Sequence, residues 1–214
     1  MEKLDTIIEA IHQSFEITTK VRDQALKQSR MLTRFCANTI RAVHRDEKDL
    51  AQEHLAKAQV LVDELNINLK DHPSIYFAGY TQDALKEFAE ACITYALINN
   101  EPLPTPQELA LEHQTYLKGL AETAGELRRK CLDILRHGHS EEAEKLLAYM
   151  DEIYAVLVTM DYPNAITGGL RRLTDIVRGV TERTRGDLTL SLRQERLETQ
   201  MKALEKQINH ENNL

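Results

Sequence analysis

The chain has 214 residues, and a hydrophobic content of 42% is enough to bury a substantial core, which excludes a disordered chain. No segment reaches the roughly 18 uncharged apolar residues of a membrane-spanning helix, and the charged N-terminus lacks a hydrophobic signal region. We therefore expect a soluble, cytoplasmic protein with no membrane partner. The whole chain has a net charge of −7. An overall negative charge argues against nucleic-acid binding, because affinity for phosphate groups comes mainly from Lys and Arg.

Apolar residues recur with the 3.6-residue period of an α-helix through almost the whole chain, and proline and glycine cluster at the breaks. The pattern predicts a first long helix over about residues 3–44 and a second over residues 50–70. Ser74 follows a proline break and is expected to cap the third helix, which ends at residues 99–100.

The proline-rich segment 101–106 predicts a stiff connector, because proline cannot continue a helix and restrains the residue before it. Thr105 is expected to cap a fourth helix that is entered through Pro106 and stops near residues 137–139.

Ser140 is expected to cap a fifth helix, and a last long helix follows Gly168-Gly169 and runs to about residue 208. No segment has the two-residue period of a strand. The sequence therefore predicts an all-α fold, a single-domain bundle of about six helices over residues 1–214 with a frayed tail at 209–214.

The first helix carries a cationic segment. Residues 20–45 contain seven Lys or Arg side chains and a single Asp, a net charge of +6, although the whole chain is acidic. Spacings of three, four, seven and four place five of these cations on one helix face, with His44 near its end. A solvated face usually mixes signs, so this pattern is as compatible with phosphate binding as with simple solvation. The cations of this basic ridge are Lys27, Arg30, Arg34, Arg41 and Arg45.

Two carboxylate pairs stand at helical spacing, Glu87 with Glu90 on the third helix and Glu122 with Glu126 on the fourth. Like charges at this spacing destabilise an exposed helix by roughly 0.2–0.5 kcal/mol per pair, and a shared cation would reverse that effect. Oxygen-only ligation suits Mg²⁺ or Mn²⁺ and leaves room for a substrate phosphate. The alternative is a solvated acidic face, since both pairs point away from the apolar stripe of their helix.

Two glycines and three cysteines lie within these helical patterns. Gly119 and Gly125 weaken the fourth helix and indicate close approach of a neighbouring helix or ligand. Cys36, Cys92 and Cys131 are widely separated, so we expect reduced, buried packing residues.

Four segments, taken in order, resemble the translin family and together span most of the chain. Residues 26–44 are similar to its basic first-helix signature, and residues 79–91 and 116–127 to its two central motifs. Residues 168–193 resemble its C-terminal helix.

Within that family the resemblance is to the acid-bearing branch of translin-associated protein X. It implies endoribonuclease activity, with Glu87 and Glu90 at the first acidic pair and Glu126 in the Gly-Glu-Leu motif. Glu122 stands where the branch often has Asp, which keeps the charge and lengthens the side chain. The resemblance also implies closed oligomeric shells that enclose RNA.

The sequence thus predicts an Mg²⁺- or Mn²⁺-dependent endoribonuclease that acts on single-stranded or short RNA inside a homo-oligomeric shell. Glu87, Glu90, Glu122 and Glu126 are the predicted catalytic residues and metal ligands; the basic ridge and His44 are the predicted nucleic-acid contacts. The alternatives are a non-catalytic binder of single-stranded RNA or DNA like translin, an all-α nucleotide pyrophosphohydrolase, and a purely structural helical scaffold.

Overall fold

The computed structural model describes residues 1–138 and 140–211, and the side chains of all of these except Glu2 and Glu211. Within this part of the chain there are eight α-helices and no β-strand, which confirms the predicted all-α class. Six of the eight are long, as predicted. The helices are α1 (Glu2–His44), α2 (Lys48–Asn68), α3 (Pro73–Tyr76), α4 (Gly79–Asn99), α5 (His113–Leu135), α6 (Glu141–Val158), α7 (Asn164–Thr167) and α8 (Leu170–Glu211).

Two four-residue helices, α3 and α7, were not predicted, because a single turn is too short to show a hydrophobic period. The first of them also overturns a predicted cap. His72 stands at the N-cap of α3 and Ser74 lies inside that helix, while Ala78 precedes α4. The prediction that Ser74 caps the third long helix is therefore wrong.

Thr105 closes a turn and does not begin a helix. Its backbone N–H and its hydroxyl both donate to the Glu108 carboxylate, at 2.7 and 2.8 Å, and the Glu108 N–H donates to the Thr105 hydroxyl oxygen at 3.2 Å. This reciprocal arrangement is typical of a helix start. Ala110, however, has a φ of 53°, a left-handed conformation that ends the turn, and α5 begins only at His113. The predicted helix entry through Pro106 is wrong.

Two other predicted boundaries are confirmed. The Ser140 side chain accepts a hydrogen bond from the Ala143 N–H at 3.3 Å and caps α6. Gly168 and Gly169 have φ values of 55° and 87°, which favour glycine, and α8 begins at the next residue.

The predicted ends of α5 and α8 differ by a few residues from the observed ones. α5 ends at Leu135, before the predicted stop, and residue 139 of that stop lies outside the described residues. α8 continues through Glu211 and so includes the start of the tail predicted to fray, whereas residues 212–214 are not described.

The chain divides into two compact units, Met1–Leu120 and Ala121–Leu214, and the division falls inside α5. A single domain over residues 1–214 stays a prediction. In the first unit the second half of α1 packs along α2 and α4, because its apolar side chains return on one face every three or four residues. The largest fully buried side chains of this unit are Leu32, Val62, Leu65, Leu69, Leu85, Phe88 and Ile93.

In the second unit α6 packs along α8, and Met150, Val177 and Leu188 are fully buried. Arg128 on α5 donates to the Thr184 hydroxyl at 3.0 Å and forms an ion pair with Asp187 at 2.8 Å. Both partners lie on α8, so these bonds join the second half of α5 to α8 within the unit.

Both chain ends carry exposed helix. Residues 3–20 of α1 and residues 193–210 of α8 are exposed throughout. None of the helices in the described residues combines the length and the apolar character needed to cross a bilayer, and the cytoplasmic location stays a prediction.

Candidate active site

The first acidic pair lies on the most deeply buried helix of the first unit. Every residue of α4 from Phe88 to Leu97 is buried, and this run includes Glu90, which is only 8% exposed. Glu87, one turn earlier, is half-buried. Burial of a carboxylate is unfavourable unless cations or hydrogen bonds compensate it. For Glu90 the solvated-face alternative is therefore wrong, because α4 has packed neighbours on more than its apolar stripe.

Three of the four predicted ligands come together. One carboxylate oxygen from each of Glu87, Glu90 and Glu122 lies within 4.8 Å of the other two. Two oxygens bound to one Mg²⁺ lie about 3–4 Å apart, given ligand distances of about 2.0–2.1 Å in an octahedron. The donor set, carboxylate oxygens only, is the one that Mg²⁺ and Mn²⁺ prefer. The three carboxylates therefore fit the donor chemistry of such a cation.

The close approach of α5 to α4 depends on Gly119. A Cβ atom at this position would lie 2.5 Å from the Ala89 Cβ, and 2.9 Å from both the Glu90 nitrogen and the Lys86 carbonyl oxygen. Only glycine fits such a crossing without movement of backbone. Glu122 lies one turn further along the same helix, so this crossing brings its carboxylate to those of α4. The predicted close approach is confirmed at Gly119 but not at Gly125, where a Cβ would meet nothing within 4 Å.

Glu126, the fourth predicted ligand, is not in the group of three. It lies on α5 one turn beyond Glu122, its side chain is 23% exposed, and its carboxylate is 3.7 Å from the Arg129 guanidinium. Its role as a ligand stays a prediction.

Two buried thiols belong to the environment of the acidic cluster. Burial raises the pKa of the Cys36 thiol well above its ordinary value, and the negative charges of Glu87 and Glu90 raise it further. Burial also raises the pKa of the Cys92 thiol. Both side chains are therefore neutral at physiological pH and do not compete with the carboxylates as anionic ligands. The prediction that all three cysteines are reduced and buried is confirmed.

The basic ridge is exposed along its whole length. All five of its cations are exposed, and His44 is half-buried. Arg41 is held by its own helix, because its guanidinium donates to the Asn38 side-chain oxygen at 3.0 Å and to the Ala37 carbonyl oxygen at 3.4 Å. The opposite face of α1 packs into the unit, where Gln28 donates to the Glu64 carboxylate at 2.8 Å. An exposed row of cationic side chains can neutralise several phosphates of a polyanion.

Tyr80 is a candidate contact that the sequence did not single out. It stands in the first turn of α4, is half-buried, and lines a shallow depression together with Leu26, Ser29, Arg30 and Thr33 of α1. An aromatic ring beside an arginine can stack on a nucleic-acid base. In the sequence, Tyr80 is an aromatic residue at the start of the α4 segment, five residues after an isoleucine. This pattern is common and does not by itself indicate a nucleic-acid contact.

Known proteins resemble this chain in sequence and in fold. No family model matches the chain. The chain is 33% identical over 187 residues to the uncharacterized protein MJ0175 of Methanocaldococcus jannaschii, a match that covers 86% of this chain and 82% of that protein.

Solved structures of the same fold are C3PO proteins of the translin type. The AfC3PO–duplex RNA complex and AfC3PO itself are each 29% identical to this chain, with TM-scores of 0.80 and 0.79. Those matches cover 86% of this chain and 95% and 96% of the AfC3PO chains. Apo-NeC3PO, at 21% identity and a TM-score of 0.79 over 86% of this chain and 96% of its own, has the same fold.

Fold and site together define an all-α protein with an acidic cluster where two helices cross and a cationic face on its first helix. The chain belongs to the translin family.

Proposed function

We propose that this protein is a Mg²⁺- or Mn²⁺-dependent endoribonuclease that binds and cleaves RNA within a homo-oligomer. The observation that carries the proposal is the convergence of Glu87, Glu90 and Glu122. A binding module needs cations and stacking surfaces, and it gains nothing from a cluster of half-buried and buried acids. A hydrolase that acts on phosphodiesters does need such a cluster, to hold a divalent cation.

Glu87, Glu90 and Glu122 would hold the cation, with Glu126 as a fourth ligand or as a neighbour of the substrate. A bound divalent cation supplies Lewis-acid stabilisation of phosphate charge and lowers the pKa of water near the scissile bond. The chain contributes a carboxylate set fixed by the crossing at Gly119 and shielded from bulk water at Glu90. This preorganisation is the condition under which electrostatic stabilisation is most effective.

The basic ridge would hold the RNA backbone, which gives affinity with little reading of sequence. The similarity to the 29%-identical AfC3PO, solved in complex with duplex RNA, supports RNA as the polyanion. Single-stranded or short RNA is the substrate that we propose, with Tyr80 stacking on a base beside Arg30. Because that neighbour carries a duplex, both forms of RNA belong in the test.

Self-association is supported by the first half of α1. Five of its apolar side chains lie on one face and are 41–67% exposed, whereas the continuation of the same helix is buried in the unit. A contiguous apolar face of this kind marks an interaction surface, and we propose a second copy of the chain as its partner. The face consists of Leu4, Ile7, Ile8, Ile11 and Phe15.

The test is incubation of the purified protein with labelled single-stranded RNA, duplex RNA, single-stranded DNA and nucleoside triphosphates. Each substrate is offered with Mg²⁺, with Mn²⁺ and with EDTA. We expect internal cleavage of RNA that requires a divalent cation and is abolished by EDTA. Binding without cleavage under every condition would contradict the proposal and favour a non-catalytic binder. Turnover of nucleoside triphosphates alone would favour a pyrophosphohydrolase.

A further inference from the structure

A buried hydroxyl without a hydrogen-bond partner lines the depression beside Tyr80. Ser29 is only 4% exposed, and within the described part of the chain its hydroxyl neither donates nor accepts a hydrogen bond. Burial of a hydroxyl in this state is unfavourable, because the group loses its bonds to water and gains none in return. A hydroxyl so placed beside an opening to solvent is suited to bind a polar atom of a ligand.

The depression has the size and the chemistry of a small ligand site. Its volume is about 390 Å³, at the lower end of the roughly 300–1,000 Å³ of ligand pockets. Besides Ser29, its lining consists of Leu26, Arg30, Thr33 and Tyr80. An aliphatic side chain, an aromatic ring and two hydroxyls suit a planar base, which has apolar faces and hydrogen-bonding edges.

The depression lies two helical turns before the acidic cluster. Tyr80 precedes Glu87 by seven residues on α4, and Ser29 precedes Cys36 by seven residues on α1. Tyr80 and Ser29 share the depression, whereas burial and the negative charge of Glu87 both raise the pKa of the Cys36 thiol. The two helices therefore run side by side in the same direction between these levels. Seven residues of helix measure about 10 Å, the length of about three nucleotides in a stacked strand.

We propose that the depression between Ser29 and Tyr80 accepts one unstacked base of single-stranded RNA and thereby sets where the strand is cut. The inference rests on the proposed RNA cleavage and adds a base site to its phosphate contacts. The Tyr80 ring stacks on the face of the base, and the Ser29 hydroxyl binds its edge. Because a hydroxyl can both donate and accept, the site registers the presence of a base and not its identity.

A base site supplies something that the basic ridge cannot. Phosphates along a strand are all alike, so contacts to them hold the strand without fixing its register. Arg30 belongs to the ridge and also lines the depression, so it can hold the phosphate of the nucleotide whose base enters. A base held about 10 Å from the acidic cluster then determines which phosphate reaches the carboxylates, about three nucleotides away.

A thermodynamic cycle in the full-length protein tests the base contact. Wild type and Ser29→Ala are each titrated with a labelled single-stranded RNA and with a strand of equal length made of abasic nucleotides. EDTA prevents cleavage, and fluorescence anisotropy gives the affinities. We expect Ser29→Ala to weaken binding of intact RNA by about threefold to tenfold, the effect of one neutral hydrogen bond, and to bind the abasic strand like wild type. Tyr80→Leu should show the same pattern with a loss of about fivefold to 100-fold.

Stability distinguishes this role from a packing role. Ser29→Ala removes a buried hydroxyl without a partner, so we expect its urea midpoint to rise while its affinity for intact RNA falls. Thr181→Val is the matched control, because Thr181 of α8 is 3% exposed and its hydroxyl also lacks a partner among the described residues. It should raise the urea midpoint and leave RNA affinity at the wild-type value.

The position of the cut is tested in wild type with Mn²⁺. A single abasic nucleotide is moved along the strand, and the products are mapped. We expect each abasic nucleotide to suppress the cut about three nucleotides to one side of it, because only that register loses its base. A cut pattern that is the same for every strand would overturn the placement.

Three results of the titrations would overturn the base site alone. One is an equal loss of affinity for intact and abasic strands in Ser29→Ala. Another is wild-type affinity for intact RNA in both Ser29→Ala and Tyr80→Leu. The third is a lower urea midpoint of Ser29→Ala, which would make the hydroxyl a structural group. Failure of wild type to bind intact RNA would instead overturn the proposed function together with this inference.

Discussion

At the scale of single residues, the acidic cluster depends on one glycine. Gly119 sits where α5 crosses α4, and the three atoms nearest to an added Cβ include two backbone atoms of α4. Backbone cannot move aside as a flexible side chain can. The identity of residue 119 therefore controls how close Glu122 lies to Glu87 and Glu90.

Gly119→Ala is expected to lower the free energy of unfolding by about 1–3 kcal/mol, the usual effect of overpacking. Gly125→Ala is the matched control on the same helix, because a Cβ there meets nothing within 4 Å. It should leave stability unchanged or raise it by up to about 1 kcal/mol through helix propensity. Urea unfolding of both variants measures the difference. Equal stabilities would contradict the tight crossing.

Cys131 makes the stability of the protein depend on pH in the alkaline range. Burial raises the pKa of its thiol to about 11, whereas the ordinary value is 9.0. Between these two values the unfolded chain has released the proton and the folded chain has kept it. The corresponding stability is therefore fully present below pH 9 and is lost as the pH rises toward 11.

Urea unfolding at several pH values from 8 to 11 should show this fall in wild type and a shallower fall in Cys131→Ala. Cys36 and Cys92, whose pKa values burial also raises, keep part of the dependence in the variant. Parallel curves for the two proteins would mean that the Cys131 thiol titrates normally.

At the scale of helices, the basic ridge is expected to supply the affinity for RNA. Arg30→Ala with Arg34→Ala should weaken binding and flatten the slope of log affinity against log salt by about 0.7–0.9 for each phosphate that is no longer neutralised. Arg172→Ala with Arg178→Ala is the control of equal charge change on α8, where Arg178 pairs with Glu182 at 2.9 Å. Fluorescence titrations at several salt concentrations measure both. Equal slopes in the two double variants would indicate that the ridge is a solvated face that does not bind RNA.

Most helices could be predicted from the sequence because the chemistry of individual residues determines where they begin and end. Ser140 before α6 and Gly168-Gly169 before α8 act through a side-chain oxygen and through left-handed φ values, both of which are local properties. The Thr105 capping box is equally local, yet no helix follows. The chain leaves the helical conformation at Ala110, which adopts a left-handed backbone conformation that is rare for alanine. No sequence pattern predicts this conformation.

The members of the acidic cluster could be predicted from the sequence, but their environment could not. Helical spacing identified Glu87, Glu90 and Glu122 as candidates. A helical wheel, however, locates only the apolar stripe, and it placed Glu90 opposite that stripe. Burial of Glu90 results from the packing of α4 by neighbouring helices, which is a tertiary property. Tyr80 was missed for the same reason, since only the folded unit sets its ring beside Arg30.

At the scale of the whole molecule, the exposed apolar face of α1 predicts assembly. Ile11→Asp with Phe15→Asp should reduce the mass measured by light scattering, because charges would replace apolar contacts between copies. Ile17→Asp is the control, since Ile17 is 57% exposed but lies on the other side of α1. A wild-type protein that is monomeric at all concentrations would contradict the assembly, as would equal masses for the variant and the control.

The central claim is that the acidic cluster performs cleavage and is not needed for binding. The most direct measurement compares Glu90→Gln with Glu152→Gln, an exposed glutamate of α6, for RNA cleavage rate and RNA affinity at saturating Mn²⁺. Glu90→Gln keeps the size of the side chain and removes its charge. We expect its cleavage rate to fall by orders of magnitude while its RNA affinity stays near that of wild type, and Glu152→Gln to match wild type in both. Cleavage by Glu90→Gln at the wild-type rate, with contaminating nuclease excluded, would contradict the account.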